Sequence, residues 1–132
     1  MSQENVELAR AGYAALKAQD LERFLLGVDE NVEIHEIPGV PGRDVYRGHD
    51  GFREWYATGS EVIDDFAFEI EEIRDLGDTV FARVRAHGTG RIGGVPFEQR
   101  LFHVLDYRDG NAWRIRGFLD EREAFAAAGL TD

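Results

Sequence analysis

Residues 99–118 read QRLFHVLDYRDGNAWRIRGF, two apolar-rich segments joined by Asp109-Gly110. Asp-Gly between such runs is the signature of a two-residue hairpin turn, whose central residues need positive φ. With these two as the loop, Arg108 pairs with Asn111 and the ladder runs outward residue for residue. His103 then lies opposite Arg116, Leu101 opposite Phe118 and Gln99 opposite Asp120, all on one face. The other face sets Phe102 against Gly117 and Val104 against Ile115. Both faces carry apolar residues, so this register predicts helices on one and a second subunit on the other.

The pattern extends upstream. Phe66, Phe68 and Ile70 alternate with Ala67, Glu69 and Glu71, the period of a half-buried strand. Further strands are predicted over 79–88, 95–106 and 112–119. Before residue 65 the period is helical: Val6, Ala9, Tyr13 and Leu16 form one stripe. Asp20 then caps a short helix bearing Leu21, Phe24, Leu25 and Val28. A strand over 32–37 stops at Pro38-Gly39-Val40-Pro41-Gly42. A third helix, starting at 48–50, carries Phe52, Trp55, Tyr56 and Ile63 on one face. Asp120-Glu121-Arg122-Glu123 reads as a capping box before a final Ala-rich turn ended by Gly129. This order argues an α+β fold, three N-terminal helices packed on one face of a curved antiparallel sheet.

The chain has 132 residues, room for a single domain over 1–132. It has no cysteine, which excludes disulfides, thiolate metal sites and a cysteine nucleophile. Lys and Arg number 15 against 26 Asp and Glu, a net charge of −11, opposite to the field a nucleic-acid reader needs. Apolar runs are too short for a membrane span, and the polar opening is unlike a signal peptide. A soluble, cytoplasmic protein is expected, with no nucleic-acid or membrane partner.

Two literal motifs carry no site. Residues 88–93 read G-T-G-R-I-G, matching G-x-G-x-x-G, but they lie between strands with no helix to receive a phosphate. The four histidines, His35, His49, His87 and His103, have no metal-ligand spacing, so neither metal nor cofactor is expected.

Several landmarks resemble the nuclear transport factor 2-like superfamily and, within it, the SnoaL-like polyketide cyclases. They are Tyr13 with Gln19-Asp20, Val32-Glu33-Ile34-His35-Glu36, Tyr46-Arg47-Gly48, Arg53-Glu54-Trp55-Tyr56 and Phe118-Leu119-Asp120. The resemblance implies a cone-shaped, cystatin-like fold, a pocket between sheet and helices, and a homodimer through the sheet face. It does not imply one activity, because the fold hosts isomerases, cyclases, hydrolases, lyases and binding modules. Matched to the superfamily's ketosteroid isomerases, the general base falls on Glu36 and the second oxyanion-hole acid near His103. Their oxyanion-hole tyrosine falls on Gly12, with Tyr13 one residue and about 100° round the helix, a departure that weighs against the same isomerase activity.

The residues give the same candidates physical grounds. Glu36 sits among Ile34, Ile37 and Pro38, where apolar neighbours raise a carboxyl towards the range of a general base; pairing with Arg43 or Arg47 is the alternative. His103, in an apolar strand, could shuttle a proton or be a satisfied core histidine. Asp120 is a second acid/base candidate by the resemblance and a helix cap by its neighbours. His35 alternates with Ile34, so only one of them can line the pocket. Tyr13, Trp55, Tyr56 and Phe118 would wall a flat apolar ligand, with Gln99 and Arg116 as polar contacts; a helical aromatic stripe is also ordinary core. Whether Arg83 and Arg85 face the pocket is not readable. The expected function is cofactor-independent acid–base chemistry on a small hydrophobic carbonyl or hydroxyl compound. The alternative is a ligand-binding or dimeric assembly domain without catalysis.

Overall fold

The computed structural model describes residues 2–130. In order these form α1 (Ser2–Lys17), α2 (Leu21–Leu25), β1 (Val28–His35), β2 (Val45–Arg47) and α3 (Gly48–Val62). They continue with β3 (Ile63–Asp75), β4 (Thr79–Gly90), β5 (Pro96–Arg108), β6 (Asn111–Phe118) and α4 (Glu121–Ala127). The six strands make one open, curved sheet in the order β2-β1-β6-β5-β4-β3. Every neighbouring pair is antiparallel except β1 and β6, which run parallel. That pair departs from the all-antiparallel expectation, and β2 is a strand the sequence pattern does not reveal.

The helices and strands follow their local chemistry. The Asp20 side chain accepts from the Arg23 N–H and starts α2, as Asp120 does for Glu123 at α4. Asp109 and Gly110 turn the β5–β6 hairpin with φ of 54° and 79°, the conformation expected of that pair. Alternate residues then divide the sheet's two faces. Val80, Ala82, Val84 and Ala86 of β4, with Leu105 and Tyr107 of β5, join α1, α2 and α3 in the main core. Phe81, Phe102 and Val104 point the other way and bury Ala124 of α4.

Two expectations need correction here. The hairpin register holds only for its first pairs, Arg108 with Asn111 and Tyr107 with Ala112. A bulge then makes Trp113 an extra residue, so Asp106 pairs with Arg114 and His103 with Gly117, not Arg116. Arg116 pairs with Val104 and Phe118 with Phe102, on the face opposite His103. Secondly, part of the outer face predicted to meet another subunit is covered by the chain's own α4.

The rest of that face is a lattice of ion pairs. Arg83 reaches Glu72 at 2.9 Å, Arg100 reaches Glu71 at 2.7 Å and His87 meets Glu69 at 2.9 Å. Arg83 and Arg85 therefore lie away from the helices. At the hairpin end, Asp106 is buried and accepts from Arg114 at 2.8 Å, Arg116 at 3.1 Å and the Thr79 hydroxyl at 2.7 Å.

Candidate functional site

A cavity of about 360 Å³ lies between the helices and the concave face of the sheet. A volume of this size suits a small organic molecule. Its mouth is between α1 and α2, where Leu8 and Leu26 stand exposed beside Ala11 and Arg23. Its walls are apolar: Phe24, Phe52 and Trp55 from the helices, Phe68, Leu105 and Ile115 from the sheet. Phe52 stacks on Phe24 and tilts against Trp55, with centroids 4.5 and 5.1 Å apart, so the wall is a continuous aromatic surface.

Apart from Arg23 at the mouth, a polar pair on this lining is buried. Tyr13 Oη and His103 Nδ1 share a hydrogen bond of 2.7 Å. Phe68 meets the edge of both rings, so the pair is enclosed in hydrocarbon. Burial pushes the imidazole down to about 4, which keeps it neutral at pH 7. Burial first, and then the nearby Tyr107 phenol, holds the Tyr13 hydroxyl well above its ordinary range. Two tautomers satisfy this bond: the phenol donates to Nδ1 and the ring proton sits on Nε2, or Nδ1–H donates to the phenol oxygen and the phenol proton is left without a partner among the described residues. Nε2 itself has no protein partner there and is not sealed from solvent. Either tautomer therefore leaves the pair one N–H or O–H without a partner among the described residues. Tyr107 likewise lines the cavity with a hydroxyl that bonds to no described residue, and burial raises it too.

Gly117 lies beside this pair. A Cβ there would crowd Ile37 at 3.2 Å and only touch the His103 ring at 3.9 Å, so glycine leaves room for the strand end at Ile37. On α1, the Gly12 position points at Phe24, 3.2 Å from a would-be Cβ, whereas Tyr13 is buried and reaches the cavity.

The structure thus gathers Tyr13, Trp55 and His103 and leaves the other expected residues outside the lining. Glu36 is half-buried behind the wall: one carboxylate oxygen accepts from the Trp55 indole N–H at 2.6 Å, the other from the Ile37 N–H at 2.8 Å. It holds Trp55 in place. Tyr56 packs against the main core without reaching the cavity. Asp120 is exposed and caps α4; Gln99 is exposed and bonds to the Arg100 carbonyl. Arg116 and Phe118 are on the outer face, one with Asp106 and the other with the Phe81 cluster, because of the Trp113 bulge. Ile34, not His35, lines the cavity, while His35 pairs with Glu33 at 3.0 Å. Tyr107 is missed by the sequence reading, although it follows His103 by four residues on the same strand and alternation alone puts both on one face.

The profile of the SnoaL-like domain matches residues 9–115. The chain belongs to this family. Members of its wider superfamily share the fold over almost the entire chain. The SnoaL-like chain is 25% identical to TerC, whose crystal structure was obtained with polyporic acid, covering 95% of this chain and 97% of that one with a TM-score of 0.81. An NTF2-like protein from Burkholderia thailandensis is 28% identical over 95% of this chain and 96% of its own, with a TM-score of 0.79. A ketosteroid isomerase-like fold from Catenulispora acidiphila, in complex with trimethylamine, superposes at a TM-score of 0.76 and 17% identity, covering 95% and 94%. No curated protein matches the SnoaL-like sequence. Among the described residues, no helix is long and apolar enough to cross a membrane.

Proposed function

We propose that this SnoaL-like domain binds a small, largely apolar molecule bearing a carbonyl or hydroxyl oxygen, and acts on it through Tyr13 and His103. The observation that carries the reading is the 2.7 Å Tyr13–His103 bond at the buried end of an aromatic cavity. The N–H or O–H that this pair leaves without a partner is a donor fixed in advance for a ligand oxygen. In a low-dielectric site such a donor stabilises negative charge on that oxygen. Tyr107 offers a second hydroxyl. The likeness to TerC, co-crystallised with polyporic acid, supports a small organic ligand.

The test begins with a thermal-shift panel of aromatic phenols and ketones, followed by turnover assays on those that bind. Tyr13→Phe should weaken binding about five- to tenfold, the worth of one hydrogen bond in a dry site. Equal binding by the variant would remove the pair from the site.

Binding without turnover is favoured by one observation: the nearest carboxylate to this wall, Glu36, is engaged with Trp55 and Ile37 and does not line the cavity. In that reading Tyr13→Phe weakens binding and no panel member is converted. We also propose a homodimer through the charged part of the outer sheet face that α4 leaves uncovered. Sedimentation should then show a dimer that weakens when Arg83 and Arg100 are replaced by Glu.

A further inference from the structure

Arg23 is the one charged residue lining the cavity, and it lies at the mouth on α2. Its guanidinium has no hydrogen bond or ion pair among the described residues. The acids closest to it in sequence are engaged elsewhere. Asp20 spends a carboxylate oxygen on the Arg23 backbone N–H, and Glu22 accepts from Arg53 Nε and Nη2, at 3.1 and 3.0 Å. Most other arginines of this strongly acidic chain are paired, among them Arg43 with Glu54, Arg91 with Asp64 and Arg114 with Asp106.

A chain of net charge −11 repels anions at long range. An anionic group can be accepted only where a local cation outweighs that field. Inside the cavity there is none, because His103 is neutral and the remaining lining is uncharged. At the mouth there is one without an ion pair among the described residues, on the same lining as the exposed Leu8 and Leu26. The cavity is therefore polar at its buried end, apolar along its walls and cationic at its opening.

We propose that the ligand is a flat apolar molecule carrying a hydroxyl or carbonyl at one end and a carboxylate or other anion at the opposite end, the anion meeting Arg23 at the mouth. This rests on the reading that the cavity takes an oxygenated apolar ligand through Tyr13 and His103. Arg23 sets orientation: it ties down the anionic end so that the uncharged oxygen, and not the charged one, enters the dry end. Reversed insertion would bury a carboxylate without a counter-ion, a penalty larger than an exposed ion pair returns.

Two probes of the same skeleton separate the proposals: 2-naphthol, which has only the hydroxyl, and 6-hydroxy-2-naphthoic acid, which has a carboxylate at the far end. Titrations would follow tryptophan fluorescence at pH 7.5 in low salt. The wild-type chain should prefer the naphthoate about two- to fivefold, the size expected of a partly exposed ion pair. That preference should fall towards one in 1 M salt and in Arg23→Gln, survive in Arg23→Lys, and survive in Arg10→Gln, an exposed α1 arginine outside the lining. Equal binding of both probes by the wild type, with both weakened in Tyr13→Phe, would overturn the anionic end and leave the cavity reading standing. A preference unchanged in Arg23→Gln would overturn Arg23 as its source. If neither probe binds, or Tyr13→Phe binds both as well as the wild type, the underlying reading and this inference fail together.

Discussion

The rings of Tyr13 and His103 lie almost parallel, 6° apart with centroids at 5.9 Å, and their 2.7 Å hydrogen bond ties α1 to the middle of β5. Helix and sheet are thus joined by a polar contact inside the main core. The same pair gives the site its donor and the domain a pH-sensitive point.

Stability should fall on acidification through His103. An unfolded chain protonates this histidine near 6.5, whereas burial holds the folded imidazole at about 4. Between those values unfolding takes up a proton, so the contribution is complete above about pH 6.5 and is lost as pH falls towards 4. Its size is on the order of 3 kcal/mol. Urea titrations of the wild type and His103→Leu at pH 7.5 and pH 4.5 isolate it from the carboxylates. The variant should lose less stability over that interval, and identical losses would assign the acid sensitivity elsewhere.

Glu36 should act through Trp55. Glu36→Ala removes the acceptor of the indole N–H and frees one wall of the cavity. In a Trp113→Phe background the remaining tryptophan emission should become less anisotropic, and binding of a phenol probe should weaken about threefold to tenfold, close to one lost charge-assisted hydrogen bond. Gln at this position keeps an acceptor and should restore most of both. Failure of Gln to do so would mean that the charge itself matters.

Asp106 should be among the most sensitive positions outside the cavity. Asp106→Ala strips the shared partner from Arg114, Arg116 and Thr79, and Arg116 already has a buried Nε without a partner. Leaving a guanidinium half-buried and uncompensated costs about 3–5 kcal/mol. Chemical denaturation would register it, and a loss below about 1 kcal/mol would show that water fills the place of the carboxylate.

Gly88 opens the literal G-x-G-x-x-G run for a reason unrelated to phosphate. A Cβ there would come within 2.5 Å of Ile63 and 2.8 Å of the Asp64 carbonyl, where β3 presses on β4 beside its bulge. Gly88→Ala should therefore cost about 1–3 kcal/mol by overpacking, while Gly94→Ala, with nothing within 4 Å, should pay only for its positive φ. Equal melting temperatures for the two would contradict the close approach.

Much of the fold is legible because its signals are local. Asp109-Gly110 names its own turn, and the change of period near residue 65 separates helices from meander. What is hidden depends on pairing at a distance. Val45–Arg47 is too short for any period to show, and nothing near Val28 or Asn111 announces that their strands will lie side by side. The Trp113 bulge leaves the hydrophobic pattern of β6 intact while moving Arg116 and Phe118 to the other face. That single extra residue is why Arg116 and Phe118 do not share the face of His103.

The parallel pairing of β1 with β6 has a consequence for how the molecule comes into being. The first strand made on the ribosome finds its inner neighbour only when nearly the last segment has emerged, so β1 waits with that edge unpaired while α1 can already dock on β3 and β4. A nascent chain arrested before residue 111 would have Tyr13 and His103 but would lack Ala112 and Ile115 of the cavity wall. The ligand chamber is therefore a property of the finished chain alone, and an excess of apolar ligand during refolding should speed the final closure rather than the first collapse.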